Sequence, residues 1–174
     1  MTKILIISGS PRSNGKTQVL MKYIFEYVKQ KNSDTKLINL SDGGIDYYVG
    51  TSDYSDTTKQ AAKDITEADV WLVGTPIYNS FFSAALKNLF EYIDYKKTEG
   101  KTAGLVILAS SNSGFTDVQT LLTQLMSYFN VITNPRAVFV TANTIVNDQI
   151  IEPEVKLRLE ALVDQTLDLA SKIH

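Results

Sequence analysis

Lys3-Ile4-Leu5-Ile6-Ile7-Ser8-Gly9-Ser10-Pro11-Arg12-Ser13-Asn14-Gly15-Lys16-Thr17 is the stretch whose reading decides the fold. Ile4 to Ile7 are apolar on consecutive positions rather than alternate ones, the pattern of a parallel strand covered on both faces. Glycines and small hydroxyl side chains then break the run. Beyond them Val19, Leu20, Tyr23, Ile24, Tyr27 and Val28 recur every three to four residues and form one apolar face of a helix. The stretch therefore reads as strand, loop and helix.

The same alternation continues along the chain. Residues 35–40, 70–75, 103–109 and 137–141 read as further strands. Phe82, Leu86, Leu89, Phe90 and Ile93 mark one helix, and Val118, Leu121, Leu122, Leu125, Met126 and Phe129 mark another. Val155, Leu159, Leu162, Val163 and Leu167 mark the last, and a weaker helix spans about residues 57–67. Five strands separated by helices with right-handed crossovers predict an open three-layer α/β domain. Of the two common windings, five strands favour a parallel sheet in the flavodoxin order 2-1-3-4-5 over the six-stranded dinucleotide fold. In either, ligands sit beyond the carboxyl ends of the strands, so the residues after each strand are the ones to inspect. Residues 41–56, with Gly43, Gly44, Gly50 and three tyrosines, form the one sizeable irregular region, and loops of that length are often functional.

With 174 residues the chain is one domain long, residues 1–174, with a core able to bury roughly 70% of the unfolded surface. Hydrophobic residues at 44% and charged ones at 21% exclude a disordered or heptad-dominated chain. A formal net charge of −2 excludes partners held by bulk positive charge, so neither nucleic acid nor an anionic membrane is expected. It also differs from a strongly acidic electron carrier. Without cysteine there is no disulfide, thiolate nucleophile or cysteine-held metal. The one histidine is His174, a position that does not suit a buried catalytic imidazole. The chemistry is therefore expected to reside in a bound cofactor. Ile4 to Ile7 is too short for a signal peptide or a membrane span, and a cytoplasmic location is expected.

The loop after the first strand, residues 8–17, joins glycines, hydroxyls and one arginine to a helix N-terminus, where free backbone N–H groups and the helix dipole attract phosphate. A plain strand-to-helix turn with Ser13 or Asn14 as N-cap is the other reading. Gly15-Lys16-Thr17 matches the end of a triphosphatase P-loop, but five residues rather than four separate Gly9 from Gly15, and Ser10 stands where glycine is needed. No acidic residue ends the third strand to hold magnesium. After that strand, Pro76 predicts a turn out of the sheet. Ile77, Tyr78, Asn79, Phe81 and Phe82 follow at the rim, where backbone donors and aromatic rings suit a flat heterocycle, although for Phe82 packing of the helix start or of a subunit contact is the better reading. After the fourth strand, Ser110-Ser111-Asn112-Ser113-Gly114 makes a second donor-rich loop.

GSPRSNGKT, TPIYNSFFSAALKNLFEYID and SSNSG, at residues 9–17, 75–94 and 110–114, together resemble the NADPH-dependent FMN reductase family, which includes azobenzene and quinone reductases of flavodoxin-like fold. Asn147-Asp148-Gln149-Ile150-Ile151 is similar to that family's final turn. The resemblance implies that Ser10, Arg12, Asn14, Gly15, Lys16 and Thr17 cradle the FMN phosphate. It implies that Pro76, Ile77, Tyr78 and Asn79 line the flavin near N5 and O4, and that Ser110, Ser111 and Gly114 approach its pyrimidine edge. Arg12 serves either FMN or the 2′-phosphate of NADPH. Lys16 departs from the usual family loop toward that of iron–sulfur flavoprotein relatives, a class closed to a chain without cysteine. Residues 86–94 resemble the family's dimer-forming helix, which implies a homodimer or homotetramer with flavin sites at a subunit interface.

The implied activity is hydride transfer from NADPH through FMN to a small-molecule electron acceptor such as a quinone, azo compound or free flavin. This needs no protein acid or base. A flavodoxin-type electron shuttle without nicotinamide activity is the alternative, and the small net charge weighs against it.

Overall fold

The structure is a computed structural model that describes residues 2–51 and 53–173; His174, the lone histidine, lies outside the described residues. The first strand, β1 (Ile4–Ser8), is buried at every position. Leu5 and Ile7 enter the core on one face of the sheet and Ile4 and Ile6 the core on the other, which is why its apolar residues run consecutively.

In chain order there follow α1 (Lys16–Lys29), β2 (Thr35–Asn39), α2 (Asp56–Glu67), β3 (Val70–Tyr78), β4 (Phe81–Phe82) and α3 (Ala84–Phe90). Then come β5 (Thr102–Ala109), α4 (Phe115–Tyr128), β6 (Ile132–Thr133), β7 (Val138–Thr141), β8 (Ile145–Val146), β9 (Gln149–Ile150) and α5 (Pro153–Ile173). The parallel sheet runs β2-β1-β3-β5, with β6 and β7 both pairing with β5 on its far side. This is the expected order 2-1-3-4-5 with the outermost place shared by two short strands. Between them Asn134 still donates to the Ala103 carbonyl at 2.7 Å, but Pro135 has no N–H to continue the ladder.

Helices α1 and α5 cover one face, where Leu20, Ile24, Leu159 and Val163 pack on Ile6, Leu72 and Val106. Helices α2, α3 and α4 cover the other, where Ile65, Leu86, Phe90 and Leu122 pack around Trp71 and Leu105. Gly74 allows α1 to approach the sheet, since a β-carbon there would lie 2.2 Å from Met21 Sδ.

Two expectations change. Pro76 does not turn the chain out of the sheet: β3 continues to Tyr78, with Pro76 paired opposite Leu108. Its neighbour β1 has ended at Ser8, opposite Gly74, so β3 is a free edge on that side and tolerates a residue without an N–H. The turn falls at Asn79-Ser80, both with positive φ (49° and 66°), and returns the chain antiparallel as β4. Phe82 accordingly lies in a strand rather than in the helix, and it packs partly against the core.

The irregular region 41–56 is tied down at Asp46. Its carboxylate accepts from the Ser55 amide at 2.6 Å and from Thr58 Oγ1 at 3.0 Å. Its carbonyl accepts from Asn88 Nδ2 at 2.8 Å and from the Tyr92 hydroxyl at 2.6 Å. The rings of Tyr48 and Tyr54 meet Tyr92 edge-on at 5.4 and 4.6 Å.

Candidate functional site

The loops after β1, β3 and β5 emerge on the same edge of the sheet and meet one another. Ser10 is buried; its Oγ accepts from the Arg12 amide at 3.3 Å and lies 3.4 Å from the Tyr78 hydroxyl. The Arg12 guanidinium lies over the Tyr78 ring, 5.3 Å from its centroid. A β-carbon at Gly114 would touch Ile77 Cδ1 at 3.5 Å, so the β5 loop abuts the end of β3. Tyr78 and Ile77 thus join all three loops.

At the first loop, α1 begins after Gly15, which acts as N-cap without any side-chain hydrogen bond. Neither Ser13 nor Asn14 caps the helix. Asn14 instead takes a left-handed conformation (φ 57°), and the Gly15 amide donates to the Arg12 carbonyl at 3.2 Å. Helix α4 likewise begins after a glycine, Gly114 (φ 78°), with no side-chain cap. Helices α2 and α3, by contrast, are capped by the hydroxyls of Ser55 and Ser83. Among the described residues, the N-termini of α1 and α4 therefore present backbone donors that no side-chain cap takes up.

Thr17, in the first turn of α1, is buried, and its Oγ1 has no hydrogen-bond partner. A β-carbon at Gly15 would sit 3.0 Å from both Ser10 Oγ and the Arg12 carbonyl, so the turn is as tight as glycine permits. No carboxylate among the described residues pairs with Arg12, and residues 8–17 contain no acidic side chain. The loop is thus net positive, donor-rich and contracted around a small space.

Lys16 does not face this space with a free ammonium. Its Nζ donates to the Ala142 carbonyl at 2.6 Å, beyond the end of β7. Pro76 is buried, Ile77 and Tyr78 are half-buried, and Asn79 is exposed with Ser110 and Ser111. Beside Tyr78 and Asn79 a largely apolar groove of 690 Å³ opens between the β3–β4 hairpin and α4, lined by Phe81, Phe82, Leu125 and Tyr128.

Thr75 and Ser83 were not marked by sequence reasoning, yet they hold the loops in register. The Ser83 hydroxyl donates to the Gly9 carbonyl and accepts from the Leu86 amide at 3.0 Å, while the Ser83 amide donates to Thr75 Oγ1 at 3.1 Å. A serine three residues before a buried helix leucine was the available signal, that of an N-cap.

The model of the NADPH-dependent FMN reductase family matches residues 2–145. An NAD(P)H-dependent FAD/FMN reductase of Geobacillus thermodenitrificans is 27% identical over 165 residues, which is 92% of this chain and 89% of that protein. An FMN-dependent NADPH-azoreductase of Staphylococcus aureus is 31% identical over 118 residues, 64% of this chain and 61% of that protein. Among solved structures, a flavoenzyme NAD(P)H:(acceptor) oxidoreductase from Paracoccus denitrificans superposes with a TM-score of 0.79 at 19% identity, covering 99% of this chain and 98% of that one. That likeness carries the fold, and the family match carries the chemistry: the chain belongs to the NADPH-dependent FMN reductase family.

Proposed function

We propose that FMN binds with its phosphate in the loop of residues 10–17 and its ring system between Pro76–Asn79 and Ser110–Gly114. The observation that carries this is the pairing of an uncapped α1 N-terminus with the buried, unpartnered Thr17 hydroxyl. Both are donor groups waiting for an acceptor, and a phosphate oxygen satisfies them together. The family's activity is NADPH-dependent reduction of FMN. When bound, FMN supplies the hydride chemistry, taking a hydride from the nicotinamide and releasing reducing equivalents to an acceptor.

The chain's own residues bind and orient. Ser10, Asn14, Gly15 and Thr17 would hold the phosphate, and Arg12 at the rim would add a guanidinium able to make two parallel bonds. Tyr78 holds that guanidinium by its ring face, and would border the flavin edge. Ile77 and Gly114 bring the second and third loops close enough for a flat ring to lie against both. Lys16 contributes through its backbone and through its anchor on Ala142 rather than through its charge.

The acceptor proposed is a flat, mainly apolar molecule, a quinone or azo compound before a free flavin. The groove beside Tyr78 is bounded by Phe81, Phe82 and Tyr128, with Lys87 the one cation on its lining. We read the chain as a single flavin-binding domain acting in the cytoplasm as a homodimer or homotetramer. No helix among the described residues is long and apolar enough to cross a membrane. On α3, Leu86, Leu89 and Phe90 pack into this chain's own core, so a subunit contact at residues 86–94 would use the outward face of that helix, beside the exposed rings of Phe81, Tyr95 and Tyr128.

The deciding experiment is an anaerobic titration of the FMN-loaded protein with NADPH. Bleaching of the yellow colour within the mixing time is expected. A flavin that binds but stays oxidised under NADPH identifies an electron shuttle, and a protein that takes up no FMN overturns the site.

A further inference from the structure

Asn14-Gly15 is the one asparagine–glycine pair in the chain, and it stands in the loop proposed above to hold the flavin phosphate. Asparagine is a chemically labile side chain. Its loss of ammonia begins when the backbone nitrogen of the next residue attacks the side-chain carbonyl carbon, so the bulk of that next residue governs the rate. Glycine, without a β-carbon, leaves the approach open. In the exposed pairs Asn79-Ser80 and Asn112-Ser113 a side chain stands beside that nitrogen.

Asn14 is exposed, and its carboxamide makes no hydrogen bond among the described residues. The residue takes a left-handed conformation, φ 57°, and the Gly15 amide that would attack it donates to the Arg12 carbonyl at 3.2 Å, the long end of the ordinary range. Attack therefore requires a local opening of the turn in which that bond breaks. A phosphate held by residues 10–17 opposes the opening, because it binds the closed loop and not the open one.

We propose that Asn14 is a deamidation site gated by flavin: in the flavin-free protein it converts to aspartate or isoaspartate, and the product closes the loop to flavin. The inference rests on the reading of residues 10–17 as the flavin-phosphate site. In the reaction the Gly15 nitrogen gives its proton to solvent and bonds to Asn14 Cγ, the Cγ–Nδ2 bond breaks, and ammonia leaves. Water then opens the resulting succinimide at either carbonyl and leaves a carboxylate. Water is the only co-reactant, and nothing is oxidised or reduced.

The surroundings make the product consequential. Residues 8–17 carry Arg12 and Lys16 and no acidic side chain, and Lys16 is engaged by the Ala142 carbonyl. A new carboxylate would arise beside the α1 N-terminus, whose donors no side-chain cap takes up. Those donors attract it, and at short range it repels a phosphate dianion. Isoaspartate also inserts a methylene into the main chain of a turn so tight that a β-carbon at Gly15 would sit 3.0 Å from Ser10 Oγ.

The test incubates the protein at mildly alkaline pH with and without FMN, follows residue 14 by peptide mass spectrometry and measures FMN binding by flavin fluorescence. Flavin-free protein is expected to react at Asn14 faster than at Asn79 or Asn112 and to lose FMN-binding capacity in step. With FMN at a hundredfold over its dissociation constant, the reaction should slow by about a hundredfold. Asn14→Asp should bind FMN about tenfold or more weakly from the start. Asn14→Gln, which would have to close a larger ring, should keep whatever FMN capacity it begins with. Asn14 that stays intact, reacts no faster than Asn79 and Asn112, or reacts equally fast with FMN bound overturns the inference and leaves the flavin site standing. An Asn14→Asp protein with an unchanged FMN constant does the same. Fresh protein that takes up no FMN overturns the flavin-phosphate reading and this inference with it.

Discussion

The Arg12 guanidinium rests on the face of the Tyr78 ring, 5.3 Å from its centroid, and so links the loop after β1 to the β3–β4 hairpin. An arginine held in this way is preorganised: little of its rotamer freedom remains to be lost when an anion arrives. Arg12→Ala is therefore expected to weaken FMN binding by about 1.5–3 kcal/mol, the range of a charge-assisted contact. Tyr78→Leu should cost about 0.5–1 kcal/mol through the lost ring contact. The double variant should cost less than the sum, since both substitutions remove the same support. Flavin fluorescence titrations of the three variants check this, and an unchanged FMN constant for Arg12→Ala moves that residue to the nicotinamide 2′-phosphate.

Ser83→Ala tests the register of the loops. The substitution removes the α3 cap at Leu86 and leaves the Gly9 carbonyl without its hydroxyl donor in a buried position. Loss of a cap costs about 1 kcal/mol and an orphaned buried acceptor about 1–3 kcal/mol. A fall of about 2–3 kcal/mol in unfolding free energy is expected, measured in urea, together with weaker FMN binding because Gly9 leads into the loop proposed to hold the phosphate. Ser83→Thr, which keeps the hydroxyl, should recover most of the loss.

Much of this was legible before the fold was known, for a physical reason. A buried parallel strand demands consecutive apolar residues, and Ile4–Ile7, Val70–Val73 and Leu105–Leu108 satisfy it without ambiguity. The strand-to-helix junction at residues 8–17 was legible in the same way, from its small residues. The hairpin turns at Asn79-Ser80 and Asn147-Asp148 were harder to read because all four residues take positive φ without a glycine to signal it. The continuation of β3 through Pro76 depended on where β1 stops, a fact of tertiary register. Lys16 looked like a phosphate ligand because its motif is local, whereas its partner Ala142 is 126 residues away.

Acid pH should loosen the strap formed by residues 41–56. The Ser55 amide, followed by the Ser55 and Thr58 hydroxyls, holds the Asp46 carboxyl below the ordinary aspartate value. A group whose folded pKa is depressed contributes stability that is complete above its unfolded pKa, about 3.9, and is lost as pH falls through the lower folded value. Hydrogen exchange of the Ser55 amide should therefore be pH-independent, after correction for intrinsic rates, down to about pH 4 and rise below it. Asp46→Asn should show the loosened state already at neutral pH, with altered fluorescence from the packed rings of Tyr48, Tyr54 and Tyr92.

Lys16→Ala separates a charge that binds phosphate from a charge that binds backbone. If the ammonium served the phosphate, its removal would match the Arg12→Ala loss of about 1.5–3 kcal/mol. Because Nζ is engaged by the Ala142 carbonyl, the expected loss in FMN affinity is smaller, under about 1 kcal/mol, the net worth of one ordinary hydrogen bond transmitted through the loop. The larger effect should appear elsewhere: the segment from Ala142 through the β8–β9 hairpin loses its tie to α1, and its amides should exchange faster. Lys16→Met keeps the packing of the stem while removing the donor, and it should reproduce the exchange effect. An FMN loss as large as that of Arg12→Ala, with hairpin exchange unchanged, would return Lys16 to the phosphate and show that its bond to Ala142 gives way when flavin binds.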